Sequence, residues 1–411
     1  MKDALHNPRG EHTGGPDYSA EGTVPAGEDC CDARSSRPPK VHGWPWQNAT
    51  TMQWRDWRWQ FANRLRDLDT LTELLKVPLH ELHVYEELTA RYPYAITPYY
   101  FSMIDWLDPK DPIKRQCIPD RREILFSLPG SGEDPLAERT HMPVPGLIHR
   151  YPDRVLAMVT GTCATYCRHC NRKRTWRRPE AVGSSPGLER MLDYVKGNSR
   201  IREVILSGGD PLVMDLRILD AFLGALRSIQ HVEVLRIGTR VPVVLPMRVN
   251  DNLCQVLARH RPLWINTHFN HPREITTEAA SACDRLLKAG IPVSNQTVLL
   301  KGVNDTADII LSLCHGLQRI MVRPYYLFHC DAVCGTDHFR TDIRKGVEII
   351  EALWGQTGGL CVPSFVVDLP SGGGKARMIA SHLLSIKEDV AIFRTFEGRL
   401  VRYPCPEGAR T

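Results

Sequence analysis

From Arg154 onward, short β-branched apolar runs alternate with amphipathic stretches about six times, and this alternation restricts the fold more than any other feature of the sequence. Val155–Val159, Glu203–Leu206, Glu233–Ile237, Leu263–Thr267, Pro292–Leu299 and Ile320–Leu327 read as strands. Between them, Leu188, Met191, Leu192 and Val195, then Leu219, Phe222, Leu223 and Leu226, fall on one face of a helix, and Ile343, Val347, Ile350 and Trp354 mark a later one. Strand and helix in alternation favour a parallel sheet with right-handed crossovers. The fold class expected is α/β, a partial (β/α)6 TIM-like barrel with a helical N-terminal subdomain, and a doubly wound open sheet is the runner-up. Ser364–Val367 could add a further strand.

Residues 1–45 are rich in Gly, Pro, Ser and charge and cannot bury enough surface to offset ordering, so a disordered tail is expected there, with Cys30 and Cys31 incidental. Trp54, Trp57, Phe61 and Leu65, then Leu71, Leu74 and Leu75, recur at helical spacing, and residues 46–148 read as a helical subdomain. Pro143, Pro145 and Gly146 mark its junction with the barrel region, 149–370, and 371–411 forms a C-terminal segment. A net charge of +5 over 411 residues, without a long block of like charge, argues against a nucleic-acid partner. Met1 to Gly15 have no apolar core of a leader and no apolar run reaches membrane length, so no membrane partner is expected. Thirteen cysteines form an odd set without a small-scaffold pattern, which suggests reduced thiols and a cytoplasmic location.

Cys163, Cys167 and Cys170 follow the first strand in a C-x3-C-x2-C spacing. Three close thiolates can hold three irons of a [4Fe–4S] cluster and leave the fourth iron open. A structural zinc site would want a fourth ligand at matched spacing, and His169, between two of the cysteines, is badly placed to supply it. The spacing resembles the signature of radical S-adenosylmethionine enzymes, in which the open iron takes the amino and carboxylate groups of the methionyl moiety. Arg172 to Arg178, the densest basic stretch, abuts this loop, where anionic cofactor groups would sit.

Two glycine-rich runs add to it. Ser207, Gly208, Gly209 and Asp210 follow the second strand, and glycines there let backbone approach a ligand. Asp368 to Lys375 contains Gly372, Gly373 and Gly374 but lacks the spacing of a phosphate-binding P-loop. A lysine so presented can instead form a Schiff base with an aldehyde cofactor such as pyridoxal phosphate.

Taken with His149 to Arg154, Asn266 to Pro272 and Arg323 to Tyr326, these runs resemble the lysine 2,3-aminomutase family across about residues 85–402. The resemblance implies three cofactors: a [4Fe–4S] cluster on Cys163, Cys167 and Cys170, S-adenosylmethionine, and pyridoxal 5′-phosphate on Lys375 as the catalytic lysine. It implies Arg150, Tyr151 and Arg154 at pyridoxal phosphate, and Ser207, Gly208, Gly209, Asp210, His268 and Gln296 at S-adenosylmethionine. Arg172 would take the substrate carboxylate, and Asp331 and Asp368 the distal ammonium group. An ammonium about 4 Å from a carboxylate gains roughly 4 kcal/mol at an effective dielectric of 20 before desolvation, and glutamate would be repelled by a similar amount. Related glutamate mutases lack this acidic pair, so a basic amino acid is expected: L-lysine first, with L-arginine, in specialised-metabolite biosynthesis, as the alternative.

Departures from the family are local. Clostridial-type members bind zinc through a C-terminal cysteine cluster and a cysteine after Val-Asn-Asp, whereas here Thr306 follows Val303, Asn304 and Asp305, and Cys405 stands near the end. No zinc is expected. Ser371 replaces a frequent glycine, while His329, Ala332, Val333, Ala376, Arg377 and Met378 alter the substrate end.

The activity implied is an isomerisation that moves an amino group from Cα to Cβ. Simple base catalysis fails because the Cβ hydrogen is not acidic, so a 5′-deoxyadenosyl radical would remove it and later return it. The partners implied are a small basic amino acid and an electron donor such as flavodoxin or ferredoxin, with a homo-oligomer left open. A mutase acting on a lysine of a translation factor is a near alternative, but such relatives are shorter. An iron–sulfur electron-transfer module is a remote one, since electron carriers close the cluster with a fourth cysteine and have no use for Lys375.

Overall fold

The computed structural model describes residues 45–176, 185–379, 382–387, 390–395 and 397–404. Of the tail expected over residues 1–45, residues 1–44, with Cys30 and Cys31, lie outside them, as do Arg177, Arg178 and Cys405. The described residues belong to one compact unit.

A nine-stranded sheet organises that unit, in the order β1(Leu147–Tyr151), β2(Arg154–Thr160), β3(Glu203–Gly208), β4(Val234–Gly238), β5(Leu263–Thr267), β6(Val293–Leu299), β7(Arg323–His329), β8(Ser364–Leu369) and β9(Gly374–Arg377). β2 through β8 are parallel, while β1 on β2 and β9 on β8 are antiparallel. Strand order follows chain order from edge to edge. A doubly wound sheet reverses its order at a switch point, so the runner-up topology is excluded and the barrel-like sheet stands. Every strand expected from the sequence forms, and Ser364–Leu369 joins as one more.

The helices between strands form where their spacing suggests, but the last one turns a different face inward: Ile343 and Trp354, expected on its apolar face, are exposed. In Leu216–Arg227 the Asp215 side chain caps the first turn, and Leu219, Phe222, Leu223 and Leu226 are buried. Ile343–Leu353 is capped by Asp342 and buries Gly346, Ile349, Ile350 and Leu353. The N-terminal region is helical in shorter pieces than its spacing suggests. Thr51–Arg55 and Trp57–Ala62 break at Asp56, whose carboxylate caps Arg58 N at 2.9 Å, and Leu65 pairs with Ile96 in an isolated bridge instead of extending the helix. Trp46, Trp54, Leu71, Ile96, Tyr100 and Phe101 share one apolar core with Val155, Leu206, Ile237 and Ile265 of the sheet, so the helical region is packed onto the barrel.

Two features were not legible beforehand. Leu147–Tyr151 is an edge strand turned back by Pro152 and Asp153, and the end of the chain forms a separate antiparallel sheet of β10(Leu383–Lys387), β11(Val390–Arg394) and β12(Leu400–Pro404). No helix among the described residues is long and apolar enough to cross a membrane.

Candidate active site at the carboxyl ends of the strands

The cysteine loop leaves β2 and is braced from the helical region. Tyr166 N donates to Ala95 O at 3.0 Å, Arg168 N to Gln116 O at 2.8 Å, and Arg64 Nη1 to Cys163 O at 2.5 Å. Arg168 and Lys173 are 0% and 1% exposed, and both reach the buried Glu123 carboxylate at 2.6 Å. Arg168 also donates to the carbonyls of Tyr92 and Pro93, and Lys173 to that of Gly335. The backbone carrying the cysteines is therefore fixed by charges that have no access to water.

Cys163, Cys167 and Cys170 are unpaired and half-buried. Burial pushes the Cys170 thiol up to about 11 and the Cys163 thiol well above its ordinary value, so a metal centre has to displace their protons. Two sulfurs already accept hydrogen bonds, Cys167 from Arg240 Nη1 at 2.9 Å and Cys170 from the Arg172 backbone N–H at 3.3 Å. Three thiols on one short loop can each bind a different iron, so the donor set fits a cluster.

The turn after β3 lies directly against this loop. Gly208 has φ +114, and a Cβ there would stand 2.5 Å from Thr160 O; a Cβ on Gly209 would stand 2.3 Å from Thr162 O. Gly209 N and Asp210 N donate to those two carbonyls. Gly209→Ala is expected to displace the 160–162 backbone and with it Cys163, read as loss of bound iron after anaerobic reconstitution. Asp210 is buried, accepting from Thr239 Oγ1 at 2.6 Å, Arg240 N at 2.7 Å and Leu212 N at 3.1 Å. Its carboxylate ties the ends of β3 and β4 together and faces no open space. His268 follows β5, and burial and the Arg240 charge depress it to about 4, so it is a neutral imidazole; Gln296 lies beside it on β6.

The β1–β2 hairpin brings Arg150, Tyr151 and Arg154 to β9. Tyr151 pairs with Arg154 across the hairpin, and the Arg154 guanidinium lies 4.1 Å from the Tyr151 ring centroid while bonding Asp153 at 2.7 Å. Tyr151 Oη accepts from Lys375 N at 3.0 Å. Gly374, at φ +84, lies so close to Tyr151 Oη and Arg150 that a Cβ would sit 3.3 and 3.6 Å from them. Arg150 Nε is buried without a hydrogen-bond partner. An orphaned cationic donor beside a glycine run and an amine fits a phosphate-bearing aldehyde cofactor.

Lys375 and Asp368 are cross-strand partners of β9 and β8, and Lys375 Nζ bonds both Asp368 oxygens at 2.6 and 2.9 Å, 4.9 Å from the centroid of Phe328. The connecting turn holds Ser371 at φ +55 and Gly372 at φ +71. A side chain in this left-handed region costs roughly 1–2 kcal/mol. Ser371→Gly is expected to raise stability by about 1 kcal/mol in urea unfolding. Asp331 follows β7, accepts from Asn171 Nδ2 at 3.1 Å, and is raised to about 7 by burial and by the Asp368 charge.

Arg172, expected to face a substrate carboxylate, is engaged by Glu138 at 2.7 and 3.0 Å and by Ser207 Oγ at 3.2 Å. Burial pushes Glu138 up, but Arg172 and Arg174 outweigh it and hold the acid at about 2. A substrate carboxylate would therefore share Arg172 with a resident anion. Glu138, Asn171, Glu123 and Arg240 had not been singled out from the sequence. Arg240 lies just past the end of β4, where ligand-side residues lie, and Asn171 adjoins the cysteines; Glu123 and Glu138 lie in helix and loop text with no motif.

Comparison with known proteins adds to this geometry. A family model described as "Lysine-2,3-aminomutase" matches residues 350–411, and one described as "Radical SAM superfamily" matches residues 158–313. The chain is 44% identical over 360 residues to an L-lysine 2,3-aminomutase of Clostridium subterminale, covering 88% of this chain and 86% of that protein. It is 46% identical over 366 residues to an L-lysine 2,3-aminomutase of Methanococcus maripaludis, covering 88% and 84%. A glutamate 2,3-aminomutase of Clostridioides difficile is 39% identical over 355 residues, covering 86% and 84%.

Proposed function

The chain belongs to the lysine 2,3-aminomutase family of radical S-adenosylmethionine enzymes, and on that premise we propose that it converts free L-lysine to β-lysine. It is an aminomutase, an isomerase whose cofactors are a [4Fe–4S] cluster, S-adenosylmethionine and pyridoxal phosphate. The observation that carries lysine is the acidic pair at the end of β7 and β8: Asp331 and Asp368 share one pocket with an ammonium group, that of Lys375, already seated on Asp368. A site that holds one primary ammonium on Asp368, within electrostatic reach of Asp331, suits the distal ammonium of lysine and opposes a glutamate side chain. A guanidinium could share the same carboxylates, but the relatives quoted above are named for lysine or glutamate.

In this reading Cys163, Cys167 and Cys170 hold the cluster. Ser207, Gly208, Gly209, His268 and Gln296 line the S-adenosylmethionine site, and Asp210 shapes its turn without touching the ligand. Arg150, Tyr151 and Arg154 receive the phosphate-bearing cofactor, which Lys375 attaches. Bound, these groups supply one-electron chemistry and a conjugated system that stabilises a neighbouring unpaired electron. The chain's own residues do the rest. With Lys375 holding the cofactor, its ammonium would no longer occupy Asp368, and that carboxylate would be open to substrate. Arg172, oriented by Glu138, meets the substrate carboxylate, and Asp331, oriented by Asn171, completes the ammonium site. Glycine turns packed on backbone exclude water from the space between.

The test is anaerobic assay of reconstituted enzyme with lysine, arginine and glutamate side by side, scoring the β-amino acid formed. β-Lysine as main product supports the reading, and faster conversion of either competitor overturns it. Asp331→Asn and Asp368→Asn are each expected to raise KM for lysine by roughly 30- to 150-fold, the loss of a charged hydrogen bond of ~2–3 kcal/mol. Because Asp331 is raised to about 7, its charge appears as pH rises through that value, so kcat/KM for lysine should climb through neutrality and lose this limb in Asp331→Asn. The sign for stability is opposite: between the ordinary aspartate value and about 7 the folded chain binds more protons than the unfolded one, so this group's contribution falls as pH rises.

A further inference from the structure

Arg240, at the carboxyl end of β4, is 6% exposed, and all three nitrogens of its guanidinium are used. Nη1 donates to Cys167 Sγ at 2.9 Å, and Nε to the His268 carbonyl at 3.2 Å. Nη2 donates to Tyr100 Oη at 3.0 Å and to Gln116 Oε1 and Glu274 Oε1, each at 2.6 Å. Tyr100, Gln116 and Glu274 are buried and come from three different segments, so the side chain is held in one orientation. Gln116 Oε1 also accepts from Asn270 Nδ2 at 2.9 Å, which in turn reaches His169 Nε2, between the cysteines, at 3.2 Å. The network thus runs from a cysteine sulfur to the strand end that carries His268.

We propose that Arg240 is a positioning residue that fixes the Cys167 thiolate and sets the reduction potential of the cluster; this rests on the reading that Cys163, Cys167 and Cys170 carry that cluster. A guanidinium keeps its proton in a protein, so its donor to sulfur is permanent. When the cluster takes one electron from a low-potential donor, the donor is oxidised and negative charge on the cluster and its sulfurs increases. A charge-assisted hydrogen bond to one sulfur stabilises that added charge, and hydrogen bonding to sulfurs is one of the settings of cluster potential. Glu274 offsets part of the positive charge, but it bonds the opposite nitrogen, away from the sulfur. By holding the His268 carbonyl with Nε, the same side chain keeps the cluster loop and the end of β5 in register.

The experiment is a dithionite redox titration of anaerobically reconstituted protein, followed by electron paramagnetic resonance, for wild type, Arg240→Lys and Arg240→Met. Arg240→Met is expected to titrate at a more negative potential, by about tenfold in the reduction equilibrium or about 59 mV for one electron, with Arg240→Lys in between. A loaded Arg240→Met cluster that titrates with the wild type overturns the proposal. Should that variant hold no iron, pulsed resonance on wild-type protein carrying guanidino-15N-arginine decides: a nitrogen coupling to the reduced cluster supports the bond, and its absence overturns it. Wild-type chain that binds no iron overturns the cluster assignment itself, a result distinct from a normal cluster indifferent to Arg240.

Discussion

Lys375→Ala enzyme is expected to lose β-amino acid formation by on the order of 10³-fold or more while its iron content stays at the wild-type level. Lys375 lies on the short strand β9, with its backbone N–H fixed by Tyr151 Oη and its amine on Asp368. Alanine keeps the backbone bond and removes only the amine, so the sheet and the backbone bonds that brace the cysteine loop have no reason to change. Two further readings belong to the same variant. Borohydride should no longer fix pyridoxal phosphate to the protein. L-Lysine should bind cofactor-free Lys375→Ala protein more tightly than cofactor-free wild type by calorimetry, because the resident ammonium no longer occupies Asp368. Wild-type turnover in the variant would remove Lys375 from the reaction, and equal lysine binding would remove its competition with substrate.

Glu123→Ala should destabilise the protein by ~3–5 kcal/mol, since it leaves two buried cations without a counter-charge. Arg168 and Lys173 are both inside, both on the cysteine loop, and both on this one carboxylate. A lower midpoint of chemical unfolding and reduced iron retention should appear together, because the loop that carries the cysteines is the part released. The exposed Arg202–Glu233 pair is the control, and its removal should leave the unfolding midpoint close to that of wild type. Acid should act through the same groups. Burial alone would raise Glu123 and Glu138, but their arginine and lysine partners hold both below the ordinary glutamate range, Glu138 at about 2. Their contribution is complete above the ordinary glutamate value and is lost as pH falls toward about 2, so wild type should release iron and unfold through that window. A midpoint for Glu123→Ala equal to that of wild type would refute the bracing role.

Much of the fold was legible because β-branched runs and amphipathic spacing report which faces are buried. Leu219, Phe222, Leu223 and Leu226 are buried together as their spacing required. Trp54 to Leu65 shows where that signal fails: the apolar positions are real, but Asp56 caps a new helix and breaks the run. The terminal sheet of β10, β11 and β12 escaped because a small surface meander has no long apolar period. In the site, the cysteine spacing, the glycine turns and Lys375 could be read directly, since each places its chemistry within a few residues.

What the sequence determined by itself is therefore the local chemistry: three thiols close enough to share a cluster, glycines that let backbone approach closely, and a lysine at the end of a glycine run. Tertiary structure alone decided which charges meet. Glu123 is 45 residues from Arg168 and Arg240 is 73 from Cys167, and no pattern along the chain reveals that each pair will touch. The reason is physical. Local spacing is set by backbone geometry, whereas a buried charge finds its partner only when the sheet and the helical region close together and exclude water, which makes every unpaired charge expensive.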